Sequence, residues 1–97
     1  MSELTVRDQP DRQRFEAVLG EEVLGFVEYQ RTADLVVITH TEVPRENEGR
    51  GIGSLLARGI LDDTRERGLR ALVTCPFVLG WIGRHPEYAD LQFNAPR

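Results

Sequence analysis

A mixed α/β domain is the fold class this chain predicts: an antiparallel meander, then a parallel strand–helix–strand crossover, then a C-terminal helix. Three observations carry it. In the first half, apolar and polar side chains alternate with a period of two between short polar turns. After Pro44 the apolar residues Ile52, Leu55, Leu56, Ile60 and Leu61 recur at helical spacing. A short apolar run at 69–74 then follows one helix-length later, the arrangement of a buried strand reached by a crossover.

Each element has a local cause. Residues 14–19 put Phe15, Ala17 and Leu19 on one face, and Gly20-Glu21-Glu22 supplies a turn before residues 23–29 resume the alternation. A second polar turn at 30–34 leads into residues 35–43, rich in β-branched side chains that suit a pleated surface. Three strands with short turns pair antiparallel. Pro44 ends the third because it cannot donate to a ladder. In the helix that follows, Arg58, Asp62, Asp63, Arg65 and Glu66 lie mostly opposite the apolar stripe. Gly68 gives a C-terminal stop, and Arg65 and Arg67 suit the dipole there. Pro76 fits the first turn of a second helix, carrying Phe77, Val78, Trp81 and Ile82 and ending near Arg84-His85-Pro86. Residues 88–93 read as a short final strand or an irregular tail.

Bulk properties narrow the function. Ninety-seven residues, 40% of them hydrophobic, make one domain over 1–97, with a core too small to divide. A net charge of −4 and twelve scattered arginines argue against nucleic acid as a partner, since phosphate binding calls for a basic face. The single Cys75 excludes an internal disulfide and a cysteine zinc site, so no metal is expected. No apolar run reaches the ~18 residues of a membrane span and no signal-peptide pattern opens the chain. A cytoplasmic protein without membrane attachment is the expectation.

The chemistry concentrates in Gly49-Arg50-Gly51-Ile52-Gly53-Ser54, where alternating glycines meet a helix start. Glycine lets the backbone approach a ligand closely, and the first amides of a helix have no partner within it, so such a bend cradles phosphate. Arg50 adds a cation within the loop. A nucleoside-triphosphate P-loop is excluded, because it needs a lysine and the chain has none. A dinucleotide fingerprint fits less well, since Ser54 breaks the glycine pattern and no acidic residue ends the strand at 69–74, and it stays open as a lesser reading.

The third possibility, a coenzyme A pyrophosphate loop, comes from a resemblance. The stretch from Thr39-His40-Thr41-Glu42-Val43-Pro44 through Glu48-Gly49-Arg50-Gly51-Ile52-Gly53, with Thr-Cys-Pro-Phe and Arg-His-Pro-Glu-Tyr downstream, resembles the GCN5-related N-acetyltransferase (GNAT) family over roughly residues 14–91. The likeness is strongest to that family's small stand-alone branch. Glu48 stands where the family carries Gln or Arg, and a carboxylate beside a pyrophosphate is repulsive.

The resemblance implies a minimal GNAT-like fold whose sheet splays between the strand ending at Val43 and the strand ending at Cys75. Acetyl-CoA would lie in that gap. Its pyrophosphate would sit on the amides of Arg50, Gly51, Ile52, Gly53 and Ser54, and its pantetheine arm along Thr41, Glu42 and Val43. Relative to full-length members, the chain is expected to lack the N-terminal strand and helices that shape the acceptor pocket. That leaves the acceptor side open or completed by a second copy, with the protein a monomer or homodimer.

Four residues are candidates for catalysis, each with a plainer reading beside it. Cys75 falls at a strand end immediately before a helix, where it could carry an acyl group; buried structural cysteines are equally common. His40, near the end of the adjacent parallel strand, could pair with it or deprotonate an ammonium acceptor, or be an ordinary strand residue. Glu42 shares a face with His40 and Ile38 by the period of two and could serve as base or stay solvated. Tyr88 is the family's general-acid position by resemblance. Phe77, Trp81 and Ile82 read as core, and His85 as a helix-end residue. The reading is an acetyl-CoA-dependent N-acetyltransferase acting on a small-molecule or protein amine; the alternative is a non-catalytic acyl-CoA-binding module.

Overall fold

Five strands form one mixed sheet in the order of the chain, and two helices pack on one of its faces. The computed structural model describes residues 3–94; the ends of the expected 1–97 domain, residues 1–2 and 95–97, lie outside the described residues. The strands are β1 (Leu4–Gln9), β2 (Arg14–Leu19), β3 (Glu22–Arg31), β4 (Leu35–Glu42) and β5 (Arg70–Val73). The helices are α1 (Ile52–Glu66) and α2 (Pro76–Arg84), and 3-10 turns occupy Pro10–Arg12, Arg45–Asn47 and Pro86–Leu91. The first four strands are antiparallel neighbours, and β5 pairs parallel with β4 across the α1 crossover. No described helix is long and apolar enough to cross a membrane.

The meander, the crossover and both helices fall where periodicity and punctuation put them. Gly68 follows α1 with φ +70°, the left-handed stop that glycine takes without strain. The core fills the space between the sheet and the helices. Phe15, Ala17, Val27, Tyr29, Val36 and Ile38 come from the strands, Leu56, Ile60 and Leu61 from α1, and Val78, Trp81 and Ile82 from α2.

One expectation is corrected and one open alternative is decided. An N-terminal strand is present: β1 pairs with β2 along its whole length, and its Val6 faces α1 at Gly59, where an added Cβ would come within 2.9 Å of the valine. Of the two readings open for residues 88–93, the irregular one holds: Pro86–Leu91 form a 3-10 turn, and Arg65 grips its Asp90 with two hydrogen bonds of 2.9 and 3.0 Å. Gln92 then forms a parallel bridge to Ala71 on β5, and the Phe93 amide donates to the Ala71 carbonyl at 2.7 Å.

Buried polar contacts tie β1 and β3 to α1. Tyr29 donates to Asp8, and Arg31 links Asp8 to Asp63 at 3.3 Å each. Burial, then the hydrogen bond to Asp8 and its charge, push the Tyr29 phenol up to about 12. The unfolded chain releases that proton at about pH 10, so the folding contribution is complete below about pH 10 and is lost as pH rises towards 12. Denaturant midpoints measured across that window will fall with pH in the native sequence and fall less in Tyr29→Phe. An unchanged slope in the variant would show that this hydroxyl is not the group responsible.

Candidate functional site

The start of α1 carries a row of unoccupied hydrogen-bond donors. Gly51 is its N-cap with φ +76°, a conformation that side-chain-bearing residues avoid, and no side chain caps the helix. The first helical bond runs from the Leu55 amide to the Gly51 carbonyl at 3.0 Å. The amides of Gly49, Arg50, Gly51, Ile52, Gly53 and Ser54 therefore have no protein acceptor among the described residues. No acidic side chain sits in the first turn to neutralise the dipole.

A cavity of about 580 Å³ opens beside Gly49, Gly51, Ile52, Gly53 and Ser54. Thr41 and Val43 form one wall and Phe77, Trp81, Arg84 and His85 the other, with Asn47 and Glu48 near the loop. Of the expected cofactor residues, Thr41, Val43, Gly51, Ile52, Gly53 and Ser54 line it; Glu42 and Arg50 do not. The Arg50 guanidinium turns to Asn47, donating to its Oδ1 at 3.1 Å, while the Asn47 amide donates to the buried Leu24 carbonyl. Arg50 is thus engaged in bracing the loop, and Glu48 faces the cavity without it.

The sheet opens beside this cavity. Pairing of β4 with β5 ends at Ile38 and Val73, where the amides of Thr74 and Cys75 both donate to the Ile38 carbonyl before Pro76 turns the chain into α2. β4 runs on to Glu42, so its last four residues have no β5 neighbour. Cys75 sits in the mouth of this wedge, buried, with its Sγ 3.3 Å from the Thr41 Oγ1.

A bulge then decides which side chains share a face. Tyr29 pairs with Ile38 and Glu28 with His40, leaving Thr39 as the extra residue on β4. The alternation inverts there. Ile38 and Thr41 point to the helix side, while His40 and Glu42 point to the opposite face with Glu28 and Phe26. The expected grouping of Ile38 with His40 and Glu42 fails for this reason, and His40 is not brought to Cys75; its ring nitrogen Nε2 lies 3.3 Å from Glu42 Oε1 instead. Both are more than half exposed.

Tyr88 lies away from the cavity, against α1. Its hydroxyl donates to Asp62 at 2.7 Å and accepts from Arg58 at 3.2 Å. The Asp62 hydrogen bond, then burial and the Asp62 charge, raise its phenol above the ordinary value of 10.0. Tyr88 is not among the residues that line the cavity.

Sequence reasoning missed the α2 wall. Trp81 is core, 1% exposed, and also faces the cavity; its indole N–H donates to Ser54 Oγ at 2.8 Å. Phe77 is 41% exposed rather than core and lies over Gly53. His85 stacks on Trp81 with ring centroids 3.8 Å apart and anchors Nδ1 on the Trp81 carbonyl at 2.8 Å. The signal was the stripe Phe77, Trp81, Arg84, His85 at i, i+4, i+7, i+8.

Comparison with known proteins follows the same outline. Residues 14–91 match the family model of the GCN5-related N-acetyl-transferases. Protein NATD1 of Mus musculus is 35% identical over 92 residues, covering 84% of this chain and 77% of that protein. Protein NATD1 of Bos taurus is 42% identical over 52 residues, 54% of this chain and 46% of that protein, and that of Gallus gallus is 38% identical over 62 residues, 64% and 56%. The chain thus spans about half the length of these last two relatives. The NMR solution structure of a GCN5-like protein from Staphylococcus aureus superposes with a TM-score of 0.71 over 100% of this chain and 95% of that one, at 24% identity, a likeness of fold.

Proposed function

The chain belongs to the GCN5-related N-acetyltransferase family, and from that premise we propose that it binds acetyl-CoA in the α1 cavity and transfers the acetyl group to an amine. The observation that carries the reading is the run of unpartnered amides at residues 49–54, all but Arg50 lining a cavity whose far wall includes Thr41, the neighbour of Cys75. Acetyl-CoA supplies an activated acyl thioester. The chain supplies the grip: amides of the α1 start for the pyrophosphate, and the Ser54 hydroxyl, which accepts from Trp81 and keeps its own proton to donate. Past Ile38 the edge of β4 that faces away from β3 has no strand partner, and at Thr41 and Glu42, continuing into Val43, it can hold an amide-bearing arm as an added strand.

Two routes use the wedge. In the two-step route the Cys75 sulfur would bond to the acetyl carbon as the thioester C–S bond breaks and the thiol proton passes to the departing sulfur; the amine would then displace Cys75, its proton restoring the Cys75 thiol. In the direct route the amine nitrogen would bond to the acetyl carbon from the opposite face as the thioester C–S bond breaks, with the His40–Glu42 pair taking the amine proton and the departing coenzyme A thiolate taking one from solvent. Mass spectrometry after incubation with acetyl-CoA distinguishes them. A hydroxylamine-labile acetyl group on Cys75, with turnover reduced at least ~100-fold in Cys75→Ala, is the result expected of the two-step route. An unmodified thiol during turnover removes that route and leaves direct transfer.

One observation favours a second reading, an acyl-CoA-binding module without turnover: Tyr88 is committed to Asp62, outside the cavity. Acetyl-CoA binding with no acetyl transfer or hydrolysis across a broad amine panel would support it.

A further inference from the structure

The sheet face opposite the helices is polarised, and we infer that it receives an acceptor carrying an ammonium group at one end and an anionic group at the other. This rests on the acetyltransferase reading and names its substrate class. No described helix crosses this face, and strand register orders it in two adjacent rows. One row runs Arg7, Glu16, Phe26, Glu42 from β1 to β4; the next runs Gln9, Arg14, Glu28, His40.

The β1–β2 end carries excess positive charge. Three guanidiniums, of Arg7, Arg12 and Arg14, converge on the single Glu16 carboxylate at 3.5, 3.7 and 2.7 Å. Glu16 is 1% exposed, and Arg14 satisfies it at close range. Arg7 and Arg12 remain exposed, at longer distances, with donors to spare.

The β3–β4 end is the reverse. Glu28 stands directly opposite Arg14 in the register, yet Arg14 turns to Glu16 and lies over the Phe26 ring at 4.4 Å. Glu28 thus has no cation partner among the described residues, and Glu42 has only His40. An ammonium is held there beside the imidazole that can take its proton. The two ends are separated by about two strand spacings, roughly 10 Å, with Phe26 between them for an aliphatic middle. A polyamine matches one end only; an amino acid side chain still attached to a free carboxylate matches both.

Aminocaproate, caproate and hexamethylenediamine test this, titrated into the isotope-labelled protein with and without coenzyme A and followed by NMR. Aminocaproate is expected to shift the amides of Phe26, Glu28 and His40 and to bind at least ~10-fold more tightly than the other two, the gain from a second charge-assisted contact. In the Arg7→Gln, Arg12→Gln double variant it should fall to the level of the diamine. Equal binding of the three probes, preference for the diamine, or shifts elsewhere, as when a second copy covers the face, would overturn the inference. The comparison in the native sequence decides it even if the variant fails to fold. Because binding is also read without coenzyme A, a failure of the cofactor assignment leaves this result legible.

Discussion

Valine in place of Gly51 will weaken acetyl-CoA binding by about 100-fold or more, a loss of about 2.7 kcal/mol. Gly51 holds φ +76° with open space around it, so no neighbour is struck; the penalty is in the backbone. A residue with a Cβ pays roughly 1–2 kcal/mol in the left-handed region, and a β-branched one more. The bend relieves that strain by opening, which scatters the amides of residues 49–54. Gly53→Val reaches the same end differently. Its first added carbon would lie 2.6 Å from the Phe77 ring, forcing this half-exposed ring to swing across the cavity. Calorimetric titration beside a circular dichroism melt separates the effects: affinity should collapse in both variants while both remain folded. Native affinity in both would mean that the glycine bend is not the binding element.

Trp81→Ala will cost about 3–5 kcal/mol of stability, the usual range for emptying a buried indole. That is a large share of the roughly 5–10 kcal/mol expected for a domain of this size. Trp81 joins the two halves of the site. Its ring stacks on His85 and meets Tyr88 at 5.3 Å, while its N–H holds Ser54 in the first turn of α1. Truncation leaves a void, an unsupported Ser54 and a loose α2 wall. Trp81→Phe keeps much of the volume and removes the donor, so it should lose about 1–2 kcal/mol and retain the fold. Urea denaturation of the three proteins gives the comparison; a cost below about 1 kcal/mol for the alanine variant would contradict the role assigned to this side chain.

The parts of the fold with strong local signals were legible in the sequence. Pro44 and Gly68 bracket α1, Pro76 opens α2, and the period changes from two to helical between them. β1 was missed because its Leu4 and Val6 are followed by charged Arg7 and Asp8, and it is only half-buried. Its place is fixed by distant partners: β2, Tyr29 and the notch at Gly59. The bulge at Thr39 leaves no trace in a run of residues all suited to a strand, yet it alone sends His40 and Glu42 to the face away from Cys75. For the site, the glycine spacing marked the bend with unpartnered amides, because the physics there is in the backbone. The α2 wall did not stand out, since apolar residues at i and i+4 describe a core stripe and a cavity lining equally well. Tyr88 followed only from resemblance, and its surroundings, Asp62 and Arg58, come from another helix.

The central claim is that free main-chain donors at the head of α1 hold a diphosphate whose thioester arm enters the parted strands β4 and β5. An isotope-labelled sample titrated with acetyl-CoA tests it at the level of single amides. Gly49, Gly51, Ile52, Gly53 and Ser54 should show the largest shifts, with Thr41 to Val43 and Cys75 next, and the far edge at β1 unchanged. Saturating shifts confined to other surfaces, or none at millimolar acetyl-CoA, would contradict the account.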